Sequence, residues 1–190
     1  MNQKPLWKYA VSIFGAHVGG VVIAMILVIS VLPISDNTIF QVCCGIFILF
    51  IYWALVSGTG WKLGNDDLNR VHFNRMEKNL WRGVWVGLIA CIPMFVLDLA
   101  LIILTAFDCG AASEWGLVIY RVLNMHDMIF INLVAGTKDT LLTLPVWKSI
   151  VISLMTFFTV LCVYSGYILG YKDIVLMDKL MYKNKKDKKK

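Results

Sequence analysis

Four stretches of this chain are too long and too apolar to be hidden inside a soluble domain of its size. They cover 9–33, 39–61, 83–107 and 146–171. A helix rises 1.5 Å per residue, so roughly 20 apolar residues cross a hydrocarbon core about 30 Å thick. The first run, "YAVSIFGAHVGGVVIAMILVISVLP", exceeds the apolar region of a signal peptide and does not end in a small-x-small cleavage pattern, so it reads as a retained span. Hydrophobic residues make up 59% of the 190 and charged residues only 16%, a balance that belongs in a bilayer. The expected fold is an all-α integral membrane domain over 1–190 with four transmembrane helices.

The segment 108–145 decides whether there is a fifth span. Its middle carries Arg121, Asn124, His126, Asp127 and Asn132. Each charge at a bilayer centre costs ~2.5–3.5 kcal/mol on insertion scales. Leu117, Tyr120, Leu123, Asp127, Phe130 and Val134 repeat at helical three-four spacing. The pattern predicts an extracytoplasmic amphipathic helix over 117–134, lying in the interface or capping the bundle, with a fifth or re-entrant span as the alternative.

Charge placement supports four spans. Both termini and the 62–82 connector then share one side, which holds fifteen of the eighteen lysines and arginines and leaves Arg121, Lys138 and Lys148 opposite. Five spans would reduce this bias to nine against eight. The positive-inside rule therefore places both termini in the cytoplasm of a plasma-membrane protein. Eight of the basic residues lie at or beyond Lys172, in a tail suited to anionic lipid headgroups. Clustering of this kind does not describe a nucleic-acid surface.

The connector contains "NDDLNRVHFNRMEKNLWRG". Asp66, Asp67, His72 and Glu77 are possible metal ligands, but their spacing matches no ligand pattern, and no metal is expected. A solvated, orientation-setting connector is the simpler reading, with docking of a cytoplasmic protein as the alternative. Val71, Phe73, Met76, Leu80 and Trp81 are apolar enough to dip into a membrane surface or a partner.

Asp98, in "PMFVLDLALIIL", is the sharpest single candidate for a ligand or proton site, because intramembrane carboxylates face a partner, a cavity or a proton path. The bland alternative is a hydrogen-bonded carboxyl that only fixes packing. Pro93 is expected to kink the same span. His17 sits too near the cytoplasmic edge to meet Asp98 directly. Lys148, able to snorkel from the fourth span, and Arg121 are the better partners on position. Gly15 and Gly19 form a GxxxG with Gly20 alongside, which predicts close helix packing within the bundle or, as the alternative, against another subunit.

Five cysteines occur without a CxxC pair, and no nucleophile elbow, zinc-protease, Walker or dinucleotide motif is present. Neither an enzyme nor a cofactor is expected. "WKLGNDDLNRVHF" leading through "WRGVWVGLIACIP", with the ending "GYILGYKDIVLMDKLMYK", resembles small uncharacterised multi-span membrane proteins of Gram-positive bacteria. That resemblance implies a bacterial cell membrane and no particular activity. The expectation is an accessory or scaffold subunit of a membrane complex, with a membrane-protein partner or a homo-oligomer. The alternative is a small transporter or permeation subunit using Asp98.

Overall fold

A computed structural model describes residues 6–31, 33–34, 37–107, 111–136 and 144–174. Lys4, Lys138 and the basic tail after Ile174 lie outside them. All regular structure among the described residues is helical. Helix α1 covers Leu6–Val31 and α2 covers Thr38–His72. A bent pair follows, α3 (Arg82–Ala90) and α4 (Ile92–Ala106). The hairpin is α5 (Ala111–Leu123), a 3-10 turn (Met125–Asp127) and α6 (Met128–Ala135), and α7 (Val146–Ser153) and α8 (Thr156–Tyr171) complete the chain. By length and composition, α1, α2 and the α7–α8 unit can each cross a membrane, and the count rises to five if each bent pair is one span.

Local chemistry explains the breaks. Asn37 caps α2, its side chain accepting the backbone N–H of Ile39 at 2.8 Å. The α3–α4 pair bends by 54° around Cys91, with Pro93 in the first turn of α4. Proline has no N–H for the preceding turn, so the kink falls where the sequence places it. The larger bend, 94°, separates α5 from α6 at Asn124. Asn124 leaves helical geometry (φ −115°, ψ 43°), and its side chain donates back to the Tyr120 carbonyl at 3.2 Å.

That bend breaks the amphipathic stripe expected over 117–134. Leu117, Tyr120 and Asp127 are buried, but Leu123 is exposed and the polar Asn124 is inside. The outward face of α5 is apolar, with Val118, Ile119 and Val122 uncovered. Met125 and Ile129, at the hairpin's turn, pack with Ala24, Val28 and Ile48 of α1 and α2. The two arms pack farther out, Leu117, Tyr120, Ile131 and Ala135 joining Leu101, Leu144 and Ile152. The hairpin is thus inserted among the long helices rather than laid across their ends.

The most intimate contact joins α2 to α8. Gly60 and Gly64 on α2 face Gly166 and Gly170 on α8. A Cβ on Gly60 would fall 2.5 Å from the Val163 carbonyl oxygen, and one on Gly64, Gly166 or Gly170 would press into the carbonyl of Tyr167, Ser57 or Trp61. Residue numbers rise together along both helices, so the two run parallel. Trp53 Nε1 reinforces the pair by donating to Ser165 Oγ at 2.9 Å. Two GxxxG motifs therefore meet backbone to backbone. The one singled out in α1 behaves differently: among the described residues a Cβ on Gly15 or Gly19 would meet nothing within 4 Å, while Gly20 is covered by the Tyr52 ring.

Gly166→Ala and Gly64→Ala are each expected to destabilise the detergent-solubilised protein by ~1–3 kcal/mol through overpacking against backbone that cannot yield. Gly15→Ala should be neutral or stabilising by up to about 1 kcal/mol, since helix propensity improves in open space. Thermal unfolding of the three variants side by side checks the contrast.

Candidate functional site

The polar residues buried in this apolar chain are not scattered. Tyr52 of α2 lies at their centre, fully buried, with its hydroxyl 2.7 Å from His17 Nδ1 of α1 and 2.8 Å from Thr159 Oγ1 of α8. Its ring stacks on His126 of the 3-10 turn, centroids 4.0 Å apart, and His126 meets His17 edge to face at 5.4 Å. His126 Nε2 is 3.3 Å from Asp127 Oδ2. Next to this group, the Tyr120 hydroxyl of α5 donates to Asp98 Oδ1 of α4 at 2.6 Å, with the buried Thr156 of α8 beside them. Tyr120 sits in the last turn of α5, directly ahead of the turn that carries His126 and Asp127, and so links Asp98 to the first group. His17, Asp98, His126, Asp127, Thr156 and Thr159 are all buried.

Each member owes its place to a different element. His17 and Tyr52 face each other because α1 presents Ile13, His17, Gly20 and Ala24 on one buried face and Gly20 admits the Tyr52 ring. His126 and Asp127 arrive only because α5 breaks at Asn124. Thr156 and Thr159 sit at the start of α8, held at the level of Tyr52 by the parallel α2–α8 contact. Polar groups withdrawn from water need partners, and most of these have one. His126 Nδ1 and Asp98 Oδ2 are the exceptions, buried with no aligned hydrogen bond. Here the arrangement offers a short relay of hydroxyls, imidazoles and carboxyls, with acceptor capacity to spare.

The partner the structure gives Asp98 is thus a tyrosine. Lys148 lies over the Trp147 ring at 6.0 Å, and Arg121 donates to the Gly136 carbonyl. His17 joins Tyr52 and His126, and the offset from Asp98 inferred from its sequence position is bridged by the hairpin. Tyr52, Tyr120, His126, Asp127, Thr156 and Thr159 were not named as site residues from sequence. Tyrosines and threonines in apolar runs look like ordinary core, and His126 and Asp127 looked like reasons to keep 117–134 out of the membrane. No group of three His, Cys, Asp or Glu side chains among the described residues is placed to hold a metal ion.

A second polar network closes the end of the bundle where α1 begins. Helix α2 continues through the first half of the 62–82 connector to His72, so Asp67 lies on a helix and is completely buried. Its Oδ2 is 3.1 Å from Arg82 Nε at the start of α3. The Tyr167 hydroxyl of α8 lies 3.2 Å from the same oxygen and 3.0 Å from the Asn79 carbonyl, sharing its proton between them. Burial raises the Asp67 carboxyl above its ordinary value, while Arg82, the Tyr167 hydrogen bond and Arg70 pull it back. Arg70 Nη2 donates to the Tyr9 hydroxyl at 2.9 Å, tying α1 to the same knot. Phe73 and Trp81, by contrast, are 70% and 67% exposed.

No protein-family model, curated protein or solved structure matches this chain. Its two polar networks therefore have to be interpreted from their own geometry.

Tyr120→Phe removes the donor to Asp98 and is expected to cost ~1–3 kcal/mol, the penalty for an unsatisfied buried acceptor. Asp98→Leu should relieve most of that penalty in the double variant, because the orphaned carboxyl goes with it. A double-mutant cycle in detergent unfolding measures the coupling, expected at ~1–3 kcal/mol.

Proposed function

We propose that this chain is a small permeation or transport protein of a bacterial plasma membrane that passes protons through its central polar cluster. The observation that carries this reading is the buried juxtaposition of His17, Tyr52, Asp98, Tyr120, His126 and Asp127. Ionisable side chains at membrane depth are expensive, and chains of Asp and His there mark proton or ion pathways. A fold gains nothing in stability by bringing two histidines and two aspartates into an apolar core when aliphatic residues pack as well.

Four spans fit the reading, with α3 and α4 forming one kinked span and the 111–135 hairpin re-entering from the outer side. Non-helical backbone at membrane depth is tolerated where protein or a water-filled cavity surrounds it, and Met125–Asp127 is buried against α1 and α2. The parallel run of α2 and α8 supports an odd number of crossings between them, and in this reading α3–α4 supplies the one. Exposed Trp7 and Trp81 stand at one end, and Trp115 and Trp147 at the other, as interfacial girdles would. Arg70, Arg75, Lys78 and Arg82 gather at the end where α1 begins and α8 ends, the cytoplasmic end in this reading.

An accessory role has its own support. Gly15 and Gly19 are open on the outside of α1, flanked by exposed Val11, Val18 and Val22, a surface on which another helix can pack. In that case native mass spectrometry of protein gently extracted from its own membrane will show a stoichiometric partner that Gly19→Leu removes.

Proton entry into proteoliposomes, driven by a potassium diffusion potential and read by a trapped pH dye, tests the primary reading. Wild-type vesicles should acidify well above protein-free ones, with Asp98→Asn and Asp127→Asn each slowing the rate by more than about tenfold. Gly15→Ala should match wild type. Equal rates in wild-type and empty vesicles, or in wild type and Asp98→Asn, would end the proposal.

A further inference from the structure

A crevice of about 120 Å³ opens between α1 and α2 at the end of the bundle that carries Asp67 and Arg82. Tyr9, Ser12 and Ile13 line it from α1, and Thr59, Lys62, Leu63 and Asp66 from α2. Its volume suits several water molecules, and three hydroxyls and a carboxylate are there to bind them. The Tyr9 hydroxyl at its mouth accepts from Arg70 and faces Asp66 Oδ2 at 3.4 Å. The floor is apolar: Ile13, Leu63 and, nearer Tyr52, Val56 are almost completely buried in one cluster.

His17 stands one helical turn beyond Ile13, and Tyr52 one turn beyond Val56. One turn is only about 5.4 Å, so a single apolar layer separates a hydrated, polar-lined crevice from the first members of the central cluster. Hydrophobic constrictions of this kind gate by excluding water. We infer that the crevice is the inner vestibule through which protons reach His17, and that Ile13 with Val56 is its hydrophobic gate. This inference rests on the proton-transport reading. When the layer is wet, a hydronium in the crevice gives its proton to the ring nitrogen of His17 that does not face Tyr52. The Nδ1 side passes one on to the Tyr52 oxygen, Tyr52 passes its own to Thr159 Oγ1, and Thr159 gives its hydroxyl proton to a water farther in, so each of the three keeps its starting count as one proton moves inward. The other titratable neighbours at that level are His126 and Asp127 on the hairpin turn, Cys162 of α8 and Cys91 between α3 and α4; Asp66, Lys62, Arg70 and Tyr9 surround the mouth.

Two measurements separate this from the transport reading. Thr59→Cys and Val56→Cys are modified in inside-out vesicles with a small charged thiol reagent, and the labelled peptide is located by mass spectrometry so that native cysteines do not interfere. Thr59→Cys should react more than about tenfold faster than Val56→Cys, and adding Ile13→Ser should bring the two rates within about threefold. Equal rates before the gate is changed would overturn the vestibule whatever the flux shows. In proteoliposomes, Ile13→Ser should raise proton entry several-fold while Ile13→Val stays near wild type, and Asp98→Asn should abolish the excess. Ile13→Thr serves if the serine variant fails to run as a single species on gel filtration. Unchanged flux in an opened, labelled Ile13 variant removes the gate, and excess flux that ignores Asp98 removes the transport reading while leaving the vestibule standing.

Discussion

The parallel contact between α2 and α8 sets the geometry of everything else in the molecule. In a bilayer, apolar side chains gain little by meeting each other, since lipid tails are as apolar as leucine. Close van der Waals approach and polar contacts must supply the specificity instead. Gly60, Gly64, Gly166 and Gly170 let backbone meet backbone, and Trp53 and Ser165 hydrogen-bond across the seam. Once this register is fixed, Tyr52 is opposite Thr159 and Asp67 is within reach of Tyr167. Both polar networks depend on one seam.

The two networks do different physical work. Asp67, Arg82 and Tyr167 form a compact knot at the end of the bundle where α1 begins, the buried carboxylate balanced by the Arg82 guanidinium. The knot joins α2, α3 and α8, and Arg70 with Tyr9 adds α1. The central cluster surrounds its carboxyls and imidazoles with the hydroxyls of Tyr52, Tyr120, Thr156 and Thr159. Such groups donate, accept and exchange protons without leaving a fixed charge behind. An ion pair suits one network to holding helices together, and exchangeable protons suit the other to chemistry.

The hairpin shows how local and global forces exchange roles. As an isolated sequence, 117–134 is a flawed amphipathic helix whose charged residues argue against membrane depth. In the structure, Asn124 stops the helix and the turn puts His126 and Asp127 against α1 and α2 rather than lipid. The cost of those groups is met by partners on other helices, which a hydropathy scale applied to the segment alone does not count. Apolar Val118, Ile119 and Val122 are left facing outward, away from the buried turn.

Much of the frame was legible from residues alone. Long apolar runs dictated helices, because backbone groups with no water to bond must bond within their own segment. Pro93 marked its kink, and Asp98 stood out because an isolated carboxylate has to find something. GxxxG spacing stands out in α1, where it faces no other described residue, while the same spacing at Gly60/Gly64 and Gly166/Gly170 forms the seam. Spacing states that a helix can be approached closely; which helix does so is a property of the assembled bundle. The partners of Asp98 and His17, and the burial of Asp67 in what read as a wet connector, were decided in the same way, by contacts such as that of Asp67 with Tyr167, 100 positions away. Periodicity and polarity along each helix are written in the residues, but the rotation and depth of one helix against another come only from packing.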